Sequence, residues 1–263
     1  MRFEKWQALG NDYVIVEASA LPAPLDAELV RALCDRHAGV GADGVLELSP
    51  PAHAGSVARL RIFNADGSEA ELSGNGARQA VLYLRRAGWT ASRTFSIETA
   101  AGEVRPTILS EQTCRLDLGR ARLGERGEIG GFRFQHLTIG NPQTAIALAR
   151  PEEVDALDLA AVGPPIERDS RFSNRTNVSW FAPLAPGVIR ARVFERGVGE
   201  TRASGTGACG AAIAHVLDGG DSPVTVRLDG GELEVDVGDN LHVDLTGWAV
   251  PVFAGEWPAP PTR

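Results

Sequence analysis

The sequence predicts an α+β protein built as two similar strand-rich halves, each holding one principal helix. Three observations predict it. One is an internal repeat. The segment Phe63-Asn-Ala-Asp-Gly-Ser-Glu-Ala-Glu-Leu-Ser73-Gly-Asn-Gly-Ala77 aligns with Phe194-Glu-Arg-Gly-Val-Gly-Glu-Thr-Arg-Ala-Ser204-Gly-Thr-Gly-Ala208 at an offset of 131 residues, and Ala80/Ala211 and Gly88/Gly219 keep that offset. Leu9-Gly10-Asn11-Asp12 faces Ile139-Gly140-Asn141-Pro142 at an offset of 130, again near half of the 263 residues. Several matches at nearly one offset define a duplicated domain. The second observation is helical spacing after each serine, with Ala77, Ala80, Val81 and Leu84 before Gly88, and Ala208, Ala212 and Val216 before Gly219. The third is that the rest of the chain breaks into short apolar runs separated by turn residues.

In chain order, strands are expected at Tyr13–Glu17, Gly44–Leu48, Ala58–Phe63, Thr94–Thr99, Cys114–Leu118, Val188–Phe194, Val224–Leu228, Leu233–Val237 and Leu241–Leu245. Asp229-Gly230-Gly231 and Gly238-Asp239-Asn240 supply turns between the last of them. Asp26–His37 reads as a further helix, with Glu152–Val162 as its counterpart in the second half. The tail Pro258-Ala-Pro-Pro-Thr-Arg263 is expected to fray.

Composition narrows the function classes. Hydrophobic residues make up 43% and charged residues 23%, as in an ordinary globular chain. A net charge of −8 does not suit a nucleic-acid partner, which needs a basic face. No apolar stretch reaches membrane-spanning length, and Met1-Arg2-Phe3-Glu4-Lys5 lacks the apolar core of a signal peptide, so a cytoplasmic chain with no membrane partner is expected. Cys34, Cys114 and Cys209 are too few and too scattered for a disulfide framework or a zinc site, and the five histidines show no H-x-H or H-x₃-H spacing, so no metal is expected. Lys5 is the only lysine. Pyridoxal-phosphate enzymes hold their cofactor on a lysine, so chemistry at an amino-acid Cα would run without that cofactor.

A serine ahead of a helix is an N-cap, bonding the open amides of the first turn. The glycines that follow let backbone approach a ligand, and the helix start offers N–H groups and partial positive charge to an anion. Two such turns facing one carboxylate would place its Cα between residues 73 and 204, a geometry suited to two-base chemistry.

The chain resembles the diaminopimelate epimerase family. The resemblance runs nearly end to end, through Leu9-Gly10-Asn11-Asp12-Tyr13, Gly41-Ala42-Asp43-Gly44, Asn64-Ala65-Asp66-Gly67-Ser68, Gly74-Asn75-Gly76-Ala77-Arg78, Gly140-Asn141-Pro142, Arg175-Thr176-Asn177-Val178, Glu195-Arg196-Gly197-Val198-Gly199-Glu200-Thr201 and Gly205-Thr206-Gly207-Ala208-Cys209. It implies two pseudo-symmetric halves, each a mixed sheet or barrel around a central helix, and a homodimer that epimerises a small diamino-dicarboxylate without a cofactor. The halves are expected at 1–118, joined by a last strand at about 249–263, and at 119–248. The resemblance assigns Gly74, Asn75, Gly205 and Thr206 to the reacting carboxylate. It assigns Asn64, Asn141, Asn177, Glu195 and Arg196 to the distal amino and carboxylate groups, and places Asn11 in the cleft. A guanidinium suits a carboxylate because it donates two parallel hydrogen bonds.

The chain departs from the family at the catalytic bases, which are cysteines in the family and Ser73 and Ser204 here. A thiol ionises near neutrality with modest help, whereas a serine hydroxyl needs an adjacent base. The histidine often found after Asn-Pro in the family is Gln143, which takes no proton; Leu72 and Gln79 replace the usual Met and Cys. Glu195 remains as a base near the cleft, and Cys209, five residues into the motif, is expected to pack as a small apolar residue. Three readings stay open: serines introduced to trap substrate, a natural relative that binds an amino acid without turnover, and an isomerase using Glu195 or Asp43 as acid/base. Gly39-Val-Gly-Ala-Asp-Gly44 matches a dinucleotide fingerprint but follows a helix instead of a strand, and neither serine sits in G-x-S-x-G. Two glycosylation sequons at 174–179 would go unmodified in a cytosolic chain.

Overall fold

The computed structural model describes residues 1–21 and 23–258. The expected fraying of the tail falls, from residue 259 on, outside the described residues. The chain divides into two units, Met1–Leu116 together with the segment from Trp248, and Asp117–Gly247.

In the first unit, Arg2–Ala8 pairs antiparallel with both Val250–Glu256 and Asn11–Glu17. Asn11–Glu17 runs parallel to Gly44–Ser49, which pairs antiparallel with Ala58–Asn64. Ala58–Asn64 runs parallel to Ile97–Thr99, and Gly102–Ile108 closes the series antiparallel to it. Parallel neighbours cannot be joined by a tight turn, so each parallel pair is bridged by a helix. Helix α1 (Ala27–Cys34) makes the first crossover and α2 (Gly74–Arg86) the second.

The second unit repeats the scheme. Phe132–Ile139 pairs antiparallel with Arg122–Ile129 and Asn141–Ala147. Asn141–Ala147 runs parallel to Asn177–Ala185, with α3 (Pro151–Asp155) and α4 (Leu159–Glu167) in the crossover. Asn177–Ala185 pairs with Val188–Glu195, which runs parallel to Val224–Leu228 after the crossover α5 (Gly205–Leu217). Gly231–Val237 and His242–Trp248 complete the unit. The two repeated halves and the mixed-sheet α+β class expected from the repeat are both present.

Each sheet has a different helix on each face. Val14, Val16, Val45 and Phe63 pack with Val30 and Leu33 of α1, while the residues of opposite alternation turn toward α2. In the second unit Ile146, Val178 and Trp180 pack with Val154, Leu159 and Ile166 of α3 and α4, leaving the other face to α5. Both α2 and α5 are enclosed: residues 74–84 and 205–214 are buried. Such close packing selects small residues. A Cβ on Gly207 would sit 2.9 Å from Val193 Cγ1, so only glycine lets α5 lie this close to its sheet. Both helices end before a glycine in the left-handed region, Gly88 at φ +80° and Gly219 at φ +95°.

Some elements differ from expectation. The helix expected at Asp26–His37 is shorter, because Asp26 caps its start and the Asp35 carboxylate bonds the amides of His37 and Ala38, which leave the helix. The single helix expected at Glu152–Val162 is two, since Asp158 accepts the Ala161 amide and starts α4 afresh. α4 also runs through Pro164 and Pro165, which a sequence rule reads as a stop. The strand expected at Thr94–Thr99 is only Ile97–Thr99, with Thr94 making an isolated bridge to Thr107. Among the described residues, no helix is long and apolar enough to cross a membrane.

Candidate functional site

In the first unit the site grows from the start of α2. Ser73 is its N-cap, with φ −128° and ψ 120°, and its Oγ accepts the Gly76 amide at 3.0 Å. The Tyr13 hydroxyl donates to the same Oγ at 3.3 Å. Asn75, buried in the first turn, donates to Asn11 Oδ1 and accepts from Arg78 Nη2. Arg78 is wholly buried and also donates to the Gly74 carbonyl, so a cation sits within the first turn. Gln79 Nε2 donates to the Asn11 carbonyl. Asn11 reaches on to Asp43 Oδ2 at 2.8 Å. The structure therefore brings Asn11, Ser73, Gly74 and Asn75 together. Asn64 pairs across the strands with Gly44, beside Asp43, and donates to Ser68 Oγ in its own turn.

Asp12 anchors the loop behind Asn11. Its carboxylate takes a two-pronged contact from Arg36, at 2.9 and 3.2 Å, and Lys5 at 2.8 Å. Burial pushes this carboxyl up, but the hydrogen bonds from Arg36 and Lys5 outweigh it and hold the pKa at about 2. The only lysine is thus bound to Asp12 and to the Gly41 carbonyl.

In the second unit Ser204 caps α5 with almost the same backbone, φ −129° and ψ 120°, and its Oγ accepts the Gly207 amide at 3.2 Å. Here the partner is a carboxylate: Ser204 Oγ donates to Glu195 Oε2 at 3.0 Å, and Thr201 Oγ1 donates to Glu195 Oε1 at 2.6 Å. Ser204 and Thr206 are buried. Asn177 Oδ1 accepts the Arg196 amide at 2.8 Å while its Nδ2 donates to the Pro142 carbonyl. Its amide thus fixes the strand ends carrying Asn141 and Arg196. Gln143 Nε2 donates to Asn141 Oδ1 at 2.5 Å. The Arg196 guanidinium donates to the Asn174 carbonyl at 3.0 Å.

Two participants, Tyr13 and Thr201, have no role that the sequence alone assigns. Both lie inside the motifs that carry the resemblance, but their contacts depend on strand register. All three cysteines are buried, Cys209 among them. Burial pushes the Cys34 and Cys114 thiols up to about 12, helped at Cys34 by Asp12 and Asp43. One grouping is invisible to a search for paired histidines. Asp117, His242 and Asp244 bring ligand-type atoms within 4.8 Å of one another, through a His-x-Asp spacing on one strand.

The paired cap-and-glycine turns in two repeated halves are those of an epimerase-type isomerase fold. The family model described as diaminopimelate epimerase matches residues 3–124 and 136–250. The chain is 41% identical to the diaminopimelate epimerase of Desulforudis audaxviator, covering 98% of this chain and 99% of that one. It is 38% identical to that of Pelotomaculum thermopropionicum, covering 98% and 99%. The same fold occurs in a probable proline racemase from Agrobacterium radiobacter (TM-score 0.74, 16% identity, covering 99% of this chain and 93% of that one). It also occurs in a hydroxyproline epimerase from Agrobacterium vitis (TM-score 0.72, 16% identity, covering 97% and 91%). The chain belongs to the diaminopimelate epimerase family, a family of isomerases.

Proposed function

We propose that the protein inverts configuration at a Cα of LL- or meso-diaminopimelate without a cofactor, with Ser73 and Ser204 as the two groups that exchange protons with that carbon. The observation that carries this reading is the contact of Ser204 with Glu195. A serine hydroxyl is too weak an acid to serve as a base alone, and the Glu195 carboxylate at 3.0 Å is placed to take its proton as it removes one from substrate. Thr201 holds the other carboxylate oxygen and so fixes which oxygen faces Ser204. The first-turn amides at Gly74, Asn75, Gly205 and Thr206 would stabilise the carboxylate as it gains negative charge. Asn64, Asn141, Asn177 and Arg196 would hold or frame the distal amino and carboxylate groups. Asp43 is a poorer acid/base than Glu195, because Arg36, Asn11 and the Asp12 amide already occupy its oxygens. The reading carries with it a cytoplasmic homodimer, as the resemblance implies.

The competing reading is binding without turnover, favoured by serine at both family cysteine positions. Incubation with LL- or meso-diaminopimelate in D₂O separates the two. Loss of the Cα–H signal by NMR is the expected result. Binding without any exchange rejects the catalytic reading, and activity gained in S73C/S204C would then identify what was missing.

A further inference from the structure

We infer that Tyr13 is a catalytic proton-relay residue of the first unit, doing for Ser73 what Glu195 does for Ser204. The inference rests on the reading under Proposed function and adds a residue to it.

The duplication makes the case. Both serines cap their helices with the same backbone angles and the same hydrogen bond to the third residue of the helix, so the caps are equivalent. Their partners are not. The position matching Glu195 at the 131-residue offset is Asn64, whose amide donates to Ser68 and takes up no proton. The position matching Tyr13 at the 130-residue offset is Gln143, which donates to Asn141. Each unit thus delivers one ionisable group to its cap serine, from a different strand: a carboxylate from Val188–Glu195 and a phenol from Asn11–Glu17.

The phenol is held in place. Tyr13 is 6% exposed and lies opposite Gly44 on the neighbouring strand. A Cβ on Gly44 would fall 2.6 Å from Tyr13 Cε1 and 2.2 Å from the Phe63 carbonyl, so glycine there leaves room for the ring as it points its hydroxyl at Ser73.

The two partners differ widely in ordinary acidity, a carboxylate having a pKa of about 4 and a phenol about 10. At neutral pH the Ser204 side is therefore loaded as a base and the Ser73 side as an acid. In the forward step the Cα proton passes to Ser204 Oγ while the Ser204 proton passes to Glu195. The C–H electron pair stays on the substrate as a carbanion. Ser73 then gives its proton to the opposite face of that carbon, using the same electron pair, and takes the Tyr13 proton in exchange. This leaves a phenolate and a neutral Glu195, which return to the starting state by trading one proton with water. No oxidant, reductant or cofactor enters.

The test is Y13F, in D₂O, with exchange and inversion measured separately for each epimer. For the epimer whose proton leaves to Ser204, exchange is expected to continue within about twofold, while inversion falls by on the order of 10²-fold, the scale of a lost general acid. The ratio of exchange to inversion then rises at least about tenfold for one epimer. A second readout is the pH profile of kcat/KM. The wild-type profile is expected to fall at alkaline pH as the phenol ionises, and Y13F to lose that limb. Exchange and inversion falling in proportion, or an unchanged alkaline limb, would overturn the relay while leaving the epimerase reading intact. Wild-type protein that exchanges neither epimer rejects that reading, and the relay with it.

Discussion

Asp12 offers a stability prediction with a definite sign. Its pKa is held at about 2, against 3.8 for the free carboxyl. The carboxylate is only 15% exposed and Lys5 13%, so solvent screens that pair little, while the 54%-exposed Arg36 is screened more. A pKa lowered by one corresponds to about 1.4 kcal/mol, so ionised Asp12 contributes at most about 2 kcal/mol to the folded state. Because the folded pKa lies below the unfolded one, that contribution is complete above pH of about 5. It declines as pH falls through the unfolded value and is gone once pH passes below the folded value of about 2. D12N removes the charge at every pH and leaves the 13%-exposed Lys5 ammonium without its carboxylate. The expected result is a deficit of up to about 2 kcal/mol at pH 7, shrinking toward zero near pH 2. Urea unfolding followed by far-UV circular dichroism, on wild type and D12N at four or five pH values, measures the gap directly. A gap that stays flat between pH 7 and pH 2.5, or widens in acid, would refute the assignment of this stability to the Asp12 charge.

Other outcomes follow from the same geometry. Removing either cap hydroxyl, in S73A or S204A, should cost about 1 kcal/mol in chemical denaturation, because one first-turn amide loses its partner. G44A should destabilise by about 1–3 kcal/mol, since the added methyl meets the Phe63 carbonyl and the Tyr13 ring; its inversion defect should resemble that of Y13F. E195Q should slow Cα exchange of the Ser204-facing epimer by about 10²-fold or more while circular dichroism stays native. The three cysteines should resist a thiol reagent at pH 8 in the native protein and all titrate in denaturant; reaction of any one in the native state would contradict its burial.

The two cap helices are readable because their signals are local: a serine, two glycines, an apolar spacing and a terminating glycine all fall within 16 residues from Ser73 to Gly88 and again from Ser204 to Gly219. Strands in which buried apolar residues alternate with polar ones, such as Val224–Leu228, are readable for the same reason. Arg122–Ile129 is not, because seven of its eight residues are exposed or half-exposed and the strand is specified by its neighbour Phe132–Ile139. Arg2–Ala8 and Val250–Glu256 pair across nearly the whole length of the chain, a contact that no local window contains. At the site, the roles given to Ser73, Ser204 and Glu195 come from motif positions. The contacts of Tyr13 and Thr201 come from register, which a sequence fixes only after its strands have found each other.

That difference says how the duplication could diverge. The backbone of the cap, the glycines behind it and the enclosing sheet constrain one another tightly in both units, so a change there costs stability. The side chain aimed at the cap serine is set by one residue on one strand, half-buried at Glu195 and enclosed at Tyr13. Substituting Glu195 alters the proton affinity beside Ser204 without altering the path of the chain, whereas its match Asn64 bonds Ser68 and the match of Tyr13, Gln143, bonds Asn141. The two cap turns share one backbone, and their partners differ in ordinary acidity, a phenol at Ser73 and a carboxylate at Ser204.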